Sequence, residues 1–160
     1  MKSLATLLTL ISAFAIAQAT EIRNLPEGTM GILTVKNMTE GQLLWMKGRV
    51  GEGKYTSVDA QNRHCSITVP IAIGGFTDTR LGVHSVQGLT IAIINQELSD
   101  ALMSGQRIHS EDWIIKAAMG AGPIDGYIIS GLEPTEQFIL NSRRRWISWL
   151  LDDSPRLTCL

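Results

Sequence analysis

In the stretch "GRVGEGKYTS", Gly48 to Ser57, four residues separate Gly48 from Gly53-Lys54, the spacing of a phosphate-binding loop. Such a loop needs Ser or Thr directly after the lysine to hold magnesium, and a helix starting there so that its N-terminus faces the phosphates. Tyr55 stands in that position, and "YTSVDAQNRHC" shows no apolar helical period. The stretch therefore reads as a mobile loop after a strand, and no nucleotide is expected. The three histidines, His64, His84 and His109, form no close-spaced ligand set with Cys, Asp or Glu, and no H-E-x-x-H occurs. No metal or other cofactor is expected. Two histidines, or a His and a Glu, can still meet from distant positions to do general acid–base work. A secreted ribonuclease would use such a pair with a cation, and His64, His84, His109, Glu52, Lys54 and Arg80 are compatible with that. No Gly-x-Ser-x-Gly elbow occurs. Glu133 with Glu136, or Asp152 with Asp153, read as acids at helix ends rather than a glycosidase pair. No catalytic residue is assigned.

The strongest local anomaly is "RRRWISWLL", Arg143 to Leu151. Arg143, Arg144 and Arg145 beside Trp146 and Trp149 suit phosphate, membrane headgroups or an acidic partner surface. Arginine and tryptophan are also enriched at interface hot spots. In the competing reading, the tryptophans pack in a core and the arginines form a solvated face. A dibasic processing site is a third.

The chain opens "MKSLATLLTLISAFAIAQA", with Lys2, an apolar run and the small-x-small site Ala17-Gln18-Ala19. The apolar run is shorter than the roughly twenty residues that span a bilayer. Residues 1–19 are thus expected to be a cleaved signal peptide, with a second site at Ala15-Ile16-Ala17 two residues earlier. The expectation is an exported, extracellular protein (periplasmic if bacterial) with no integral membrane insertion after cleavage. Residues 20–160 make one domain. A net charge of −1 in the 160-residue chain gives no general pull on nucleic acid.

There are two cysteines, Cys65 and Cys159, and in an oxidising compartment they most simply form one disulfide. A free thiol or an intermolecular bond is the alternative. Asn37-Met38-Thr39 is a sequon beside a plausible turn at Glu40-Gly41, so Asn37 is a glycan candidate in a eukaryotic host.

These features need a scaffold. "TMGILTVKN" and "QLLWMKGRV" read as a hairpin turning at Thr39 to Gly41. "CSITVPIAI", with Pro70, reads as an edge or bulged strand. "LTIAIIN" reads as a buried central strand and "DGYIISG" as another. "QELSDALMSG" supplies a helical turn or two. Ser110 caps a short helix over "SEDWIIKAAMG", and "EPTEQFILNSRRRWISWLLDD" reads as an amphipathic helix, with strands as the alternative. The expected class is α+β: a single compact domain, strand-rich in its N-terminal half, with short helices in its C-terminal half and one disulfide.

A leader ending "AIAQA" and one cysteine pair, Cys65 and Cys159, without a catalytic motif, resemble the small secreted proteins of fungi that are effector candidates. The resemblance is one of layout. It implies a stable scaffold acting in virulence by binding a host or extracellular partner, expected to be a protein rather than nucleic acid. Some such proteins have ribonuclease-like folds, which keeps a small secreted hydrolase, active or degenerate, as the second reading.

Overall fold

The computed structural model describes residues 25–44, 46–59, 61–76, 82–117, 122–133, 136–142 and 156–160. Among these, ten strands and one α-helix follow in the order β1 (Gly31–Leu43), β2 (Met46–Val58), β3 (His64–Phe76), β4 (Gly82–Gln87), β5 (Thr90–Ile93), α1 (Gln96–Met103), β6 (Ile108–His109), β7 (Ile115–Lys116), β8 (Gly126–Ser130), β9 (Gln137–Leu140) and β10 (Thr158–Cys159). The strands join one sheet in the order β6-β9-β3-β2-β1-β5-β8-β7, with β10 also on β3 and β4 also on β1. The sheet curls, and one face holds the core with α1.

The stretch resembling a phosphate loop lies within β2 and is not a loop. Its outer residues alternate with inner ones, and Arg49, Gly53, Tyr55 and Ser57 are buried. Glycines and an arginine at inner positions hide the alternation of two that marks a half-buried strand. Gly53 makes room: a Cβ there would lie 2.9 Å from Val35 Cγ2 and 3.1 Å from the Thr34 carbonyl. In β1 the register slips between Val35 and Met38, since Val35 faces Gly53 and Met38 faces Gly51. This bulge adds one residue, so Leu33 and Val35 before it and Met38 and Glu40 after it are all buried. Gly88 sits against the bulge, donating to the Lys36 carbonyl at 3.1 Å. A Cβ on Gly88 would run into the Val35 backbone.

The hairpin is present, but its last strand pair is Leu43 with Met46, so it turns beyond Leu43 rather than at Thr39 to Gly41, with Leu44 at φ 54°. Thr39 to Gly41 instead continue β1, opposite Gly48 to Val50. Pro70 lies in β3, which pairs β2 along its whole length on one side, while on the other side Pro70 falls in the gap between β10 and β9. Its carbonyl accepts the Ser142 N–H, so its missing donor also points away from β2, just past the end of β9. The buried strand expected at "LTIAIIN" is β5, between β1 and β8.

The short C-terminal helices are a correction. Ser110–Asp112 form only a 3-10 turn without a side-chain cap, because the Ser110 hydroxyl accepts the Phe138 N–H at 3.0 Å. Ile115 and Lys116 then pair in parallel with β8. Gln137–Leu140, expected to be helical, are strand β9 between β3 and β6, with Phe138 and Leu140 buried on alternate positions. Asn141 ends that strand at φ 52°. Residues 143–155 lie outside the described residues, so the second part of that expected helix does too.

The one described helix has local causes. Asn95 caps it, accepting the N–H groups of Glu97 and Leu98. Leu98, Ala101 and Leu102 bury their side chains against the sheet. Ser99 adds a buried hydrogen bond, 2.7 Å, to the Tyr55 hydroxyl. Burial pushes the Tyr55 phenol above its ordinary value, an effect partly offset by the Ser99 hydrogen bond.

A row of glycines crosses the outer face, since Gly41 pairs Gly48 and Gly48 pairs Gly74. A Cβ on Gly74 meets nothing within 4 Å. Gly53→Ala is therefore expected to cost about 1–3 kcal/mol of stability by overpacking. Gly74→Ala is expected to be neutral or to stabilise by up to about 1 kcal/mol, since alanine loses less chain entropy on folding. Urea midpoints of the two variants measure the contrast. Equal shifts would contradict the inward assignment of Gly53.

Candidate binding groove

The same alternation that buries one face of β1, β2 and β3 lifts the other set of side chains outward. There a groove of about 750 Å³ is lined from β1, β2, β3 and the segment around β10. Register fixes its rows. Thr34 faces Lys54, and Lys54 faces Thr68. One row further, Thr56 faces Ser66 and Ser66 faces Thr158. Lys36 and Asn37 lie in the bulge of β1, and Arg156 comes in ahead of β10.

Among the described residues, the groove's lining holds three cations, Lys36, Lys54 and Arg156, against one carboxylate, Glu52. The whole chain, by contrast, carries a net charge of −1. Five hydroxyls, from Thr34, Thr56, Ser66, Thr68 and Thr158, also line it, and none of its described residues is aromatic. Lys36, Lys54 and Arg156 are exposed, so their charges meet a ligand without a large desolvation cost. The arrangement can bind anionic oxygens by charge and neighbouring hydroxyls by hydrogen bonds.

Family models, curated proteins and solved structures returned no match. The reading of the site therefore rests on its own geometry.

The residues singled out in the sequence fall in separate places. Asn37 is exposed on the rim of the groove, in a bulged strand rather than the turn expected. Cys65 and Cys159 form the disulfide, directly opposite one another where β10 pairs β3. The Asp59 carboxylate lies 3.6 Å from Cys65 Sγ. These three residues form a metal-like cluster, but both sulfurs are spent on each other, leaving no thiolate to ligate. The Asp59 carboxyl is held below its ordinary value, chiefly by the Arg63 backbone N–H and then by the Arg63 side chain and the Gln61 N–H. Arg143, Arg144, Arg145, Trp146 and Trp149 lie outside the described residues, as does Arg80.

His64, His84 and His109 start or sit in three different strands, β3, β4 and β6. His109 and Glu111 do share a hollow of about 320 Å³ with Gln137 and Ile139. No Lys or Arg is among the described residues that line that hollow, and the Ser110 hydroxyl beside them is engaged by the Phe138 N–H.

A buried charge cluster escaped the sequence reading. One Arg49 Nη donates to the Gly131 carbonyl at 3.0 Å, and the other pairs with Glu136 Oε2. Lys47 Nζ lies 3.1 Å from Glu136 Oε1 and 3.7 Å from Glu133. Glu136 Oε2 also accepts the Glu133 N–H at 3.0 Å. The Glu136 side chain is 2% exposed and that of Arg49 10%. This cluster fastens β2 to the segment between β8 and β9. No short-range pattern could reveal it, because Arg49 and Glu136 are 87 residues apart.

No helix among the described residues is long and apolar enough to cross a membrane.

Proposed function

We propose that this chain is an exported binding protein that acts by surface contact rather than by catalysis, and that the outer groove of β1, β2, β3 and β10 takes an anionic partner. The observation that carries this is the gathering of Lys36, Lys54 and Arg156 in one hydroxyl-lined groove of a chain whose overall charge is slightly negative. The disulfide supports export, since such bonds persist in oxidising compartments. The same bond pins β10, and with it the side of the groove that carries Arg156. A glycan on Asn37 would stand at the groove's rim. The hydrolase reading gains less support: among the described residues, the hollow that joins His109 to Glu111 brings no cation to a phosphate.

The test replaces Lys36, Lys54 and Arg156 together by alanine and measures binding to dextran sulfate. Three charge contacts at about 0.5–1 kcal/mol each lower affinity about 10–100-fold. Because the three side chains are exposed, thermal stability stays within about 0.5 kcal/mol of the unchanged protein. Unchanged binding in a folded variant overturns the assignment of the groove.

A further inference from the structure

The groove supports a narrower statement, which rests on the anionic reading above. We propose that its ligand is a linear polysaccharide carrying sulfate or carboxylate groups. The cations alone would serve any polyanion, so the hydroxyls decide. Thr34, Thr56, Ser66, Thr68 and Thr158 are each donor and acceptor at once, as sugar hydroxyls are. They interleave with the charges instead of standing apart, since Lys54 lies between Thr34 and Thr68 in one cross-strand row. A ligand matched to this lining alternates anionic groups with neutral hydroxyls along its length.

The strand spacing agrees. β10 lies two strands from β2, so Lys54 and the Arg156 side of the groove are about 10 Å apart across the sheet. That distance is comparable to the repeat of a disaccharide charged once per unit. Single-stranded nucleic acid fits less well, because its binding grooves combine cations with aromatic platforms for the bases, and none of the described residues lining this groove carries a ring. An acidic peptide offers carboxylates but no array of hydroxyls.

The experiment titrates the disulfide-bonded protein with dextran sulfate, neutral dextran, polyglutamate and duplex DNA at one ionic strength. Dextran sulfate is expected to bind about ten-fold or more tighter than polyglutamate or the duplex at equal charge concentration, and neutral dextran not to bind. Thr34→Val with Thr68→Val removes two hydroxyls while keeping a branched strand former. This pair is expected to lose about ten-fold on dextran sulfate and nothing on polyglutamate. Thr34→Ser with Thr68→Ser is expected to keep wild-type binding, which separates the hydroxyl from the fold. If polyglutamate or the duplex binds as tightly as dextran sulfate, or the valine pair weakens both polyanions alike, the polysaccharide assignment falls and the anionic reading stands. If no polyanion binds, both fall.

Discussion

Glu136→Ala is expected to lower the free energy of unfolding by about 3–5 kcal/mol, because it leaves Arg49 as a buried charge without its partner. The loss is larger than that of any surface ion pair because the Glu136 carboxylate is shut away from water and gathers three contacts. It receives Arg49, Lys47 and the Glu133 N–H. Once the carboxylate is gone, water does not readily replace it around Arg49, which already has one buried nitrogen, Nε, without a hydrogen-bond partner. Glu136→Gln is expected to fall between, since the amide accepts a hydrogen bond but carries no charge. Arg49→Met with Glu136→Leu removes both charges together and is expected to cost far less than Glu136→Ala alone. Urea denaturation of the parent and these three variants measures the differences. A Glu136→Ala shift below about 0.5 kcal/mol would mean that the cluster is exposed in solution.

Removal of the disulfide has an effect of similar size through a different term. Cys65→Ser with Cys159→Ser is expected to cost about 4–5 kcal/mol in the chain-entropy account, since the bond closes a loop with a sequence separation of 94. The local consequence is sharper than the global one. β10 is two residues long, and beyond the bond its hold on β3 includes the pair of hydrogen bonds between His64 and Leu160, at 3.1 and 3.0 Å. So short a strand is expected to fray first, and hydrogen exchange at the Leu160 amide is expected to speed up far more than at Ile91 in the central β5. A double serine variant within about 1 kcal/mol of the parent would show that β10 is held by its backbone contacts alone.

What could be read from the sequence followed how local the cause was. The strand at Leu89 to Asn95 and the one in "DGYIISG" were legible because a short apolar run between turn residues carries its own signal. The cysteine pair was legible because two cysteines leave few arrangements. β2 was legible only as far as Val50, because beyond it Gly51 and Gly53 stand where apolar residues would show the alternation. Those glycines are set by Val35 and Met38 across the bulge, a contact between strands that no window on β2 contains. β9 was misread as a helix because Pro134 and the apolar spacing after it satisfy helical rules. Its fate is decided by β3 and β6, which take up both its edges. The groove's cations come from positions as far apart as Lys36 and Arg156, so they become neighbours only once β1, β2, β3 and β10 are in register. The Arg–Trp segment drew attention because its charges are adjacent in sequence, whereas the groove's are adjacent only in space.

The central claim is that the outer groove binds anions through Lys36, Lys54 and Arg156. The most direct measurement is the salt dependence of dextran sulfate binding by the unchanged protein and by the triple alanine variant. On duplex DNA each neutralised charge contributes about 0.9 to the slope of log affinity against log salt concentration. By the same counterion release, the unchanged protein is expected to show a slope near −3, and the variant a slope near zero with weak binding. Equal slopes for the two proteins would place the anion contacts elsewhere on the molecule and contradict the account.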